Sequence, residues 1–298
     1  MQLKYKNQDF FVKEILDINK FLEKDEKGCC YHYFILKKDG WNTFDILRKL
    51  ADILDINLKD FGYAGNKDKD AVTEQYISIR TFSNPEQKLK SIKLKDVSFE
   101  YLGKGKKPIS LGDLEGNFFD IVVRNLKKKY EEIKSFKNYY GDQRFGMDKN
   151  NIIIGRALLK KDYKTVTELL KLKPKYTDYI AALNEYDKRE LKFYVSAFQS
   201  YLWNRLDKPL DVIGFDYEGE EYNNLLAGEG LTKKDFIFKE LPFLSADSSK
   251  RVYQQEVQIE TVNFAEDEFF PKSWKQEIRF FLPKGCYATV LVEQMFKD

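Results

Sequence analysis

Residues 63–75 read YAGNKDKDAVTEQ. Two lysines and two aspartates alternate behind a glycine, between the apolar FGYA and the small, apolar AVT. Gly, Asn and Asp favour turns, so the ordinary reading of this stretch is a solvated tip. Three features pull against it. An aromatic leads into the glycine, and the chain returns at once to packed sequence after the loop. Asp68 also has Lys67 and Lys69 on either side, which favours its ionised form. An ionised, positioned carboxylate is what a nucleophile or general base requires. On its own the stretch is either a hairpin tip or a catalytic loop.

Around this loop the pattern is one of alternating elements. EQYISIRTF (74–82) reads as a strand leaving it, and NTFDILRKLADIL (42–54) as a helix before it. Asn42 or Thr43 serves as its N-cap, and Phe44, Ile46, Leu47, Leu50 and Leu54 share one face. DFFVKEIL (9–16), CCYHYFIL (29–36), GNFFDIVVRNL (116–126) and QEIRFFLP (276–283) read as strands, and YATVLVEQMF (287–296) as a helix. From 150 to about 206 the pattern turns helical. RALLKKDYKTVTELLKL stops before Pro174, and ELKFYVSAFQSYLWNRL sets Leu191, Tyr194, Val195, Phe198 and Leu202 at helical spacing. Residues 207–250 are mixed. Strand-rich ends around a helical middle give an α+β fold, with 151–250 inserted into a discontinuous domain of 1–150 and 251–298.

Composition narrows the chemistry. The 298 residues are 43% hydrophobic and 33% charged, which is globular, and the net charge of +3 leaves nucleic-acid affinity to local clusters. LGKGKKP (102–108), LKKKY (126–130) and Arg80 are such clusters, suited to RNA phosphates. The N-terminus lacks the apolar region of a signal peptide and no apolar run approaches a membrane span, so a cytoplasmic protein is expected. There is one histidine. CCYH (29–32) offers three metal-ligand types, but on a strand Cys30 and His32 share a face that Cys29 leaves, so no metal is expected. Neither GxxxxGK[ST] nor a helix-opening GxGxxG is present, so a phosphotransferase reading lacks its phosphate loop. Any catalysis falls to carboxylates, lysines, hydroxyls or amides.

Several stretches together carry a resemblance. AGNKDKDAVTEQ is similar to a G-x-K-D-K-x-A-V-T-x-Q signature, and KYKNQDFFVKE (4–14) to K-x-N/P-x-x-D-F-x-V-x-E. KDGWNT (38–43), LGDLEGNFFDIVVR (111–124), NYYGDQRFG (138–146) and EIRFFLPKGCYATVLVEQM (277–295) follow in matching order. The chain thereby resembles the TruD family of tRNA pseudouridine synthases. The resemblance fades over about 150–250, where only FYVSAFQSYLWNRL is similar to the family's inserted domain.

That resemblance implies a pseudouridine synthase catalytic domain, a mixed and mostly antiparallel sheet with flanking helices, interrupted by a smaller helix-rich insertion. It implies conversion of a uridine in tRNA, at position 13 in the D arm, to pseudouridine without metal or cofactor, by a monomer. Asp68 becomes the catalytic aspartate and Asp70 a solvated neighbour. Phe119 falls where the family stacks the flipped-out uracil, although strand alternation turns either Phe118 or Phe119 inward in any case. Asn117 would bond the base edge or the Asp68 loop, or cap its turn. Lys4 and Lys67 become partners of the carboxylate or of a phosphate, Glu14 their orienter, and Gln143 and Arg144 neighbours of the cleft. Two departures stand out. Tyr31 replaces the family's frequent histidine, with His32 one residue later on the opposite face, and the middle segment is short. The rival class is a non-catalytic RNA-binding module on the same fold, which would have no need of Asp68.

Overall fold

The computed structural model describes residues 1–25 and 27–297, apart from the side chain of Met147. In chain order the strands are β1 Phe10–Ile15, β2 Tyr31–Asp39, β3 Phe61–Tyr63, β4 Val72–Arg80, β5 Val97–Gly105, β6 Gly116–Leu126, β7 Ser135–Lys137, β8 Gln254–Glu256, β9 Ile259–Glu266 and β10 Trp274–Pro283. The helices are α1 Thr43–Leu54, α2 Glu86–Ser91, α3 Asn150–Leu159, α4 Tyr163–Leu169, α5 Tyr179–Glu185, α6 Lys188–Leu206, α7 Asn223–Glu229 and α8 Ala288–Met295. Two compact units divide the chain: residues 1–135, 256–288 and 292 onward, and residues 136–255 with 289–291.

An eight-stranded sheet forms the first unit, in the order β5-β2-β4-β1-β6-β10-β9 with β3 paired to β4. Only β1 and β4 run parallel. The fold is therefore the expected mixed, mostly antiparallel α+β arrangement. Cross-strand partners share a face, so the register can be read as rows across the sheet. One row runs Lys38–Thr73–Val12–Phe119–Phe280. In the next, Gln75 stands opposite Leu36, and Glu14 opposite Asn117, which pairs in turn with Leu282. These two adjoining rows thus set polar groups, Lys38 and Thr73 in one and Gln75, Glu14 and Asn117 in the other, among apolar neighbours.

Helix α1 covers part of this face. Ile46, Leu47, Leu50 and Leu54 pack on Phe34, Leu36, Ile77 and Ile79. Fully burying each such side chain is worth about 1.5–3 kcal/mol. The Asn42 side chain accepts from the Phe44 N–H at 2.9 Å and caps the helix. Phe44 itself does not join the buried stripe as its apolar character suggested. It is exposed beneath Arg48, while Thr43 is the residue buried at the stripe's centre. Thr43 lies three and four residues before Ile46 and Leu47 and so stacks directly over them. The strand expected to start at Cys29 starts at Tyr31 and runs on to Asp39, which leaves Cys29 and Cys30 ahead of the ladder.

The chain enters the second unit through β7 and leaves it through β8, which pair with each other. The crossings at 135–136 and 255–256 differ from the expected 150 and 251, because the helical pattern that marked the change begins only with α3. Residues of α3, α4, α5, α6 and the segments after them build one core around Leu158, Leu191, Phe198 and Tyr222. Gly155 lets α3 and α6 touch: a Cβ there would stand 2.2 Å from the Tyr194 carbonyl oxygen. Among the described residues, no helix is long and apolar enough to cross a membrane.

Candidate active site

The opening stretch joins β3 to β4 as a hairpin, but its tip is not a solvated one. Ala64, Lys67 and Ala71 are buried, whereas Asn66, Lys69 and Asp70 face solvent. Thr43 explains part of this. Its hydroxyl donates to Gln75 Oε1 at 2.7 Å and lies 3.4 Å from the Lys67 N–H, while Gln75 Nε2 donates to the Gly65 carbonyl. The first turn of α1 therefore holds the loop against the sheet.

Within the loop the two lysine–carboxylate pairs are of different kinds. Lys67 points inward and pairs with Glu14, both buried, and the second Glu14 oxygen accepts from the Tyr76 N–H at 3.1 Å. Burial pushes the Glu14 carboxyl above its usual value, and Lys67 pulls it part of the way back. Asp68 points the other way and pairs with Lys4, keeping 26% of its side chain exposed. That pair is partly exposed, whereas the Lys67–Glu14 pair is sealed from solvent. Asp70 is exposed, and its N–H donates to Asp68 Oδ1 at 3.3 Å.

Lys4 needs its own support. Its backbone is left-handed, at φ 54°, which costs on the order of 1 kcal/mol in a residue with a side chain. The main chain of Gln2 bonds both ways with that of Arg124, at 2.8 and 2.9 Å. Asp9 accepts from the Lys6 N–H at 3.2 Å and from Arg124 through two bonds of 2.8 Å. Asp267 meets the same guanidinium at 3.2 Å. Arg124, buried in β6, thus clamps the segment that delivers Lys4, whose Nζ also lies 4.4 Å from the Phe10 ring centroid.

Asn117 and Phe119 lie on β6, two strands from the β4 that follows the loop. Phe119 is 7% exposed, stacked on Phe280 at 5.3 Å and edge-on to Phe10 at 6.1 Å. Phe118 is the less buried of the two phenylalanines. Two residues before Phe119, Asn117 has a buried Oδ1 with no hydrogen-bond partner, and the Thr73 hydroxyl two strands away is in the same state. Buried polar atoms are seldom left so, and an orphan amide oxygen is an acceptor in waiting.

Sequence reasoning passed over Lys38. It lies in KDGWNT, taken only as the opening of α1, yet it is 1% exposed and its Nζ donates to the main-chain carbonyl of Asp68 at 2.7 Å. Burial lowers its pKa to about 8, with Asp68 opposing that shift and Lys67 adding to it. Arg124 was missed in the same way. Gln143 and Arg144 belong to the second unit. Arg144 donates to Ser200 Oγ at 3.3 Å and to Ser196 on α6, and lies over the Phe193 ring at 4.8 Å; Gln143 is exposed.

The model of the family described as tRNA pseudouridine synthase D (TruD) matches residues 1–175 and 213–295. The chain belongs to that family. TruD relatives of similar span include tRNA pseudouridine synthase D of Aquifex aeolicus, 26% identical over 389 aligned positions that take in 99% of this chain and 98% of the relative. A TruD relative from Methanocaldococcus jannaschii is 28% identical, with 99% and 92% covered. A solved structure assigned to TruD, from Methanosarcina mazei, superposes with a TM-score of 0.72 at 23% identity, over 100% of this chain and 93% of that one. The fold is thus that of the TruD pseudouridine synthases.

Proposed function

We propose that this TruD synthase isomerises a uridine of tRNA, at position 13 in the D arm, with Asp68 as its catalytic group. The first unit carries the chemistry, and the second is the TruD-type insertion expected over 151–250. The reaction breaks the C1′–N1 bond, turns the uracil, and joins C1′ to C5, which then gives up its hydrogen. Asp68 acts either as nucleophile at C1′ or as base toward the ribose, and both roles need an ionised carboxylate that substrate can reach.

The observation that carries this reading is the pairing of Asp68. Its carboxylate is held by Lys4, partly open, at the mouth of a sheet face that already contains Lys67–Glu14, Asn117 and Phe119. The Asn117 oxygen suits the N3–H of a flipped uracil. Phe119, buried but the least buried of the set it forms with Phe10 and Phe280, would stack on that base. Gln143 and Arg144 would meet the RNA from the second unit, and Lys104, Lys106 and Lys107 would neutralise phosphates. We place this activity in the cytoplasm, in a monomer that uses neither metal nor cofactor.

Tritium release from tRNA transcripts carrying [5-³H]uridine tests it. Wild type and Asp70→Asn should release tritium, and Asp68→Asn should not, while still binding the tRNA. A wild type that binds tRNA but releases nothing would make the protein an RNA-binding module.

A further inference from the structure

We propose that Lys38 is a positioning residue for the reaction: its ammonium grips the carbonyl of Asp68 and so fixes the peptide that aims the carboxylate. The inference rests on the reading of Asp68 as the catalytic group. It begins from an anomaly of placement. A lysine almost never lies fully buried unless a carboxylate pairs with it. Lys38 is buried at the end of β2, and no carboxylate among the described residues lies within ion-pairing distance of its nitrogen. The nearest acid in sequence, Asp39, is occupied by the Asn7 and Gln8 amides at 2.6 and 2.7 Å. What the ammonium holds instead is a main-chain oxygen, that of Asp68.

The charges around it give that grip a purpose. Asp68 and Lys67 face Lys38 from the loop and Asp39 from its own strand. Glu14 on β1 is taken by Lys67, and Lys4 from the N-terminal segment is taken by Asp68. Opposite Lys38 on β4 stands Thr73, uncharged, with its hydroxyl unpartnered. Three cations therefore meet two carboxylates at the loop, and the third cation is spent on geometry rather than on an ion pair. A carbonyl fixed in this way leaves the Asp68 side chain less freedom to swing from the sugar, and the cation's field favours its ionised form.

The consequence is a loss in turnover without a loss in binding. In full-length protein, K38M is expected to lower kcat by about 100-fold, the scale of a small misplacement of a catalytic group, and to leave KM for tRNA within about threefold. K38A should regain about tenfold of its loss on adding ethylammonium, since the cavity then readmits a cation to the same carbonyl. Circular dichroism and thermal melts establish that each variant is folded. Should K38M and K38A not fold, K38Q carries the test: its amide ends one atom short of the carbonyl, and the same fall in kcat is expected.

A folded variant with wild-type kcat overturns the proposal, as does a loss that lies in KM alone. Failure of all three variants to fold also overturns it, because Lys38 is then a core residue of the sheet and nothing more. Asp68→Asn separates this from the reading beneath it. Activity in Asp68→Asn sinks the assignment of Asp68; an inactive Asp68→Asn beside a normal K38M sinks only the role of Lys38.

Discussion

At the scale of residues, the loop shows how identical ions come to do different work. Lys4–Asp68 and Lys67–Glu14 are both lysine–carboxylate pairs, but one is partly open and the other sealed. The sealed pair is the one that stability depends on. Lys67→Met would leave Glu14 buried without its cation, and removal of one partner from such a pair costs about 3–5 kcal/mol. That cost should depend on pH in a definite direction. The folded Glu14 carboxyl already holds its proton more tightly than the unfolded one, so acid favours the folded state and the penalty grows as pH rises above the ordinary glutamate value of 4.5. Without Lys67 the effect should deepen. Urea midpoints taken at about pH 5 and about pH 8 should lie closer to wild type at the lower value.

Elements were legible in proportion to how deeply they lie. β1, β4, β6 and β10 form the middle of the sheet, and each shows an apolar run or alternation that marks it in the sequence. The two longer strands that the sequence hid, β5 and β9, are the two edges. Their side chains are mostly half-buried or exposed, so LGKGKKP reads as a basic loop although its first four residues lie in β5. An edge strand earns its conformation from one neighbour, not from burial. The site divides along similar lines. Asp68, Lys4, Lys67 and Glu14 were found through motif similarity and do lie together. Lys38 and Arg124 were not, because a buried cation is written with the same letter as the solvated ones among 51 lysines and arginines. In the helical unit, contact distance is the controlling feature. Gly155→Ala would press a methyl group to within 2.2 Å of the Tyr194 oxygen and force α3 off α6. Overpacking of this kind costs about 1–3 kcal/mol, to be read as a lowered thermal midpoint.

At the scale of the whole molecule, the first unit is built from both ends of the chain. β6 carries Asn117 and Phe119 and lies between β1, which precedes it, and β10, which comes from the far side of the second unit. β10 is registered against it from Trp274–Leu126 to Pro283–Gly116. A chain stopped after Gln255 should therefore leave residues 1–135 without a stable sheet, seen as rapid proteolysis within them while the full-length protein resists. The same arrangement bears on how the molecule is made. At about 5–20 residues per second, the roughly 150 residues between β6 and β10 keep a ribosome busy for on the order of ten seconds or more. For that interval β6 has an uncovered edge, and an uncovered edge invites pairing with other nascent chains. The strand that would hold the target base thus waits for β10 before it is closed in, so the proposed site can be complete only once β10 has been made.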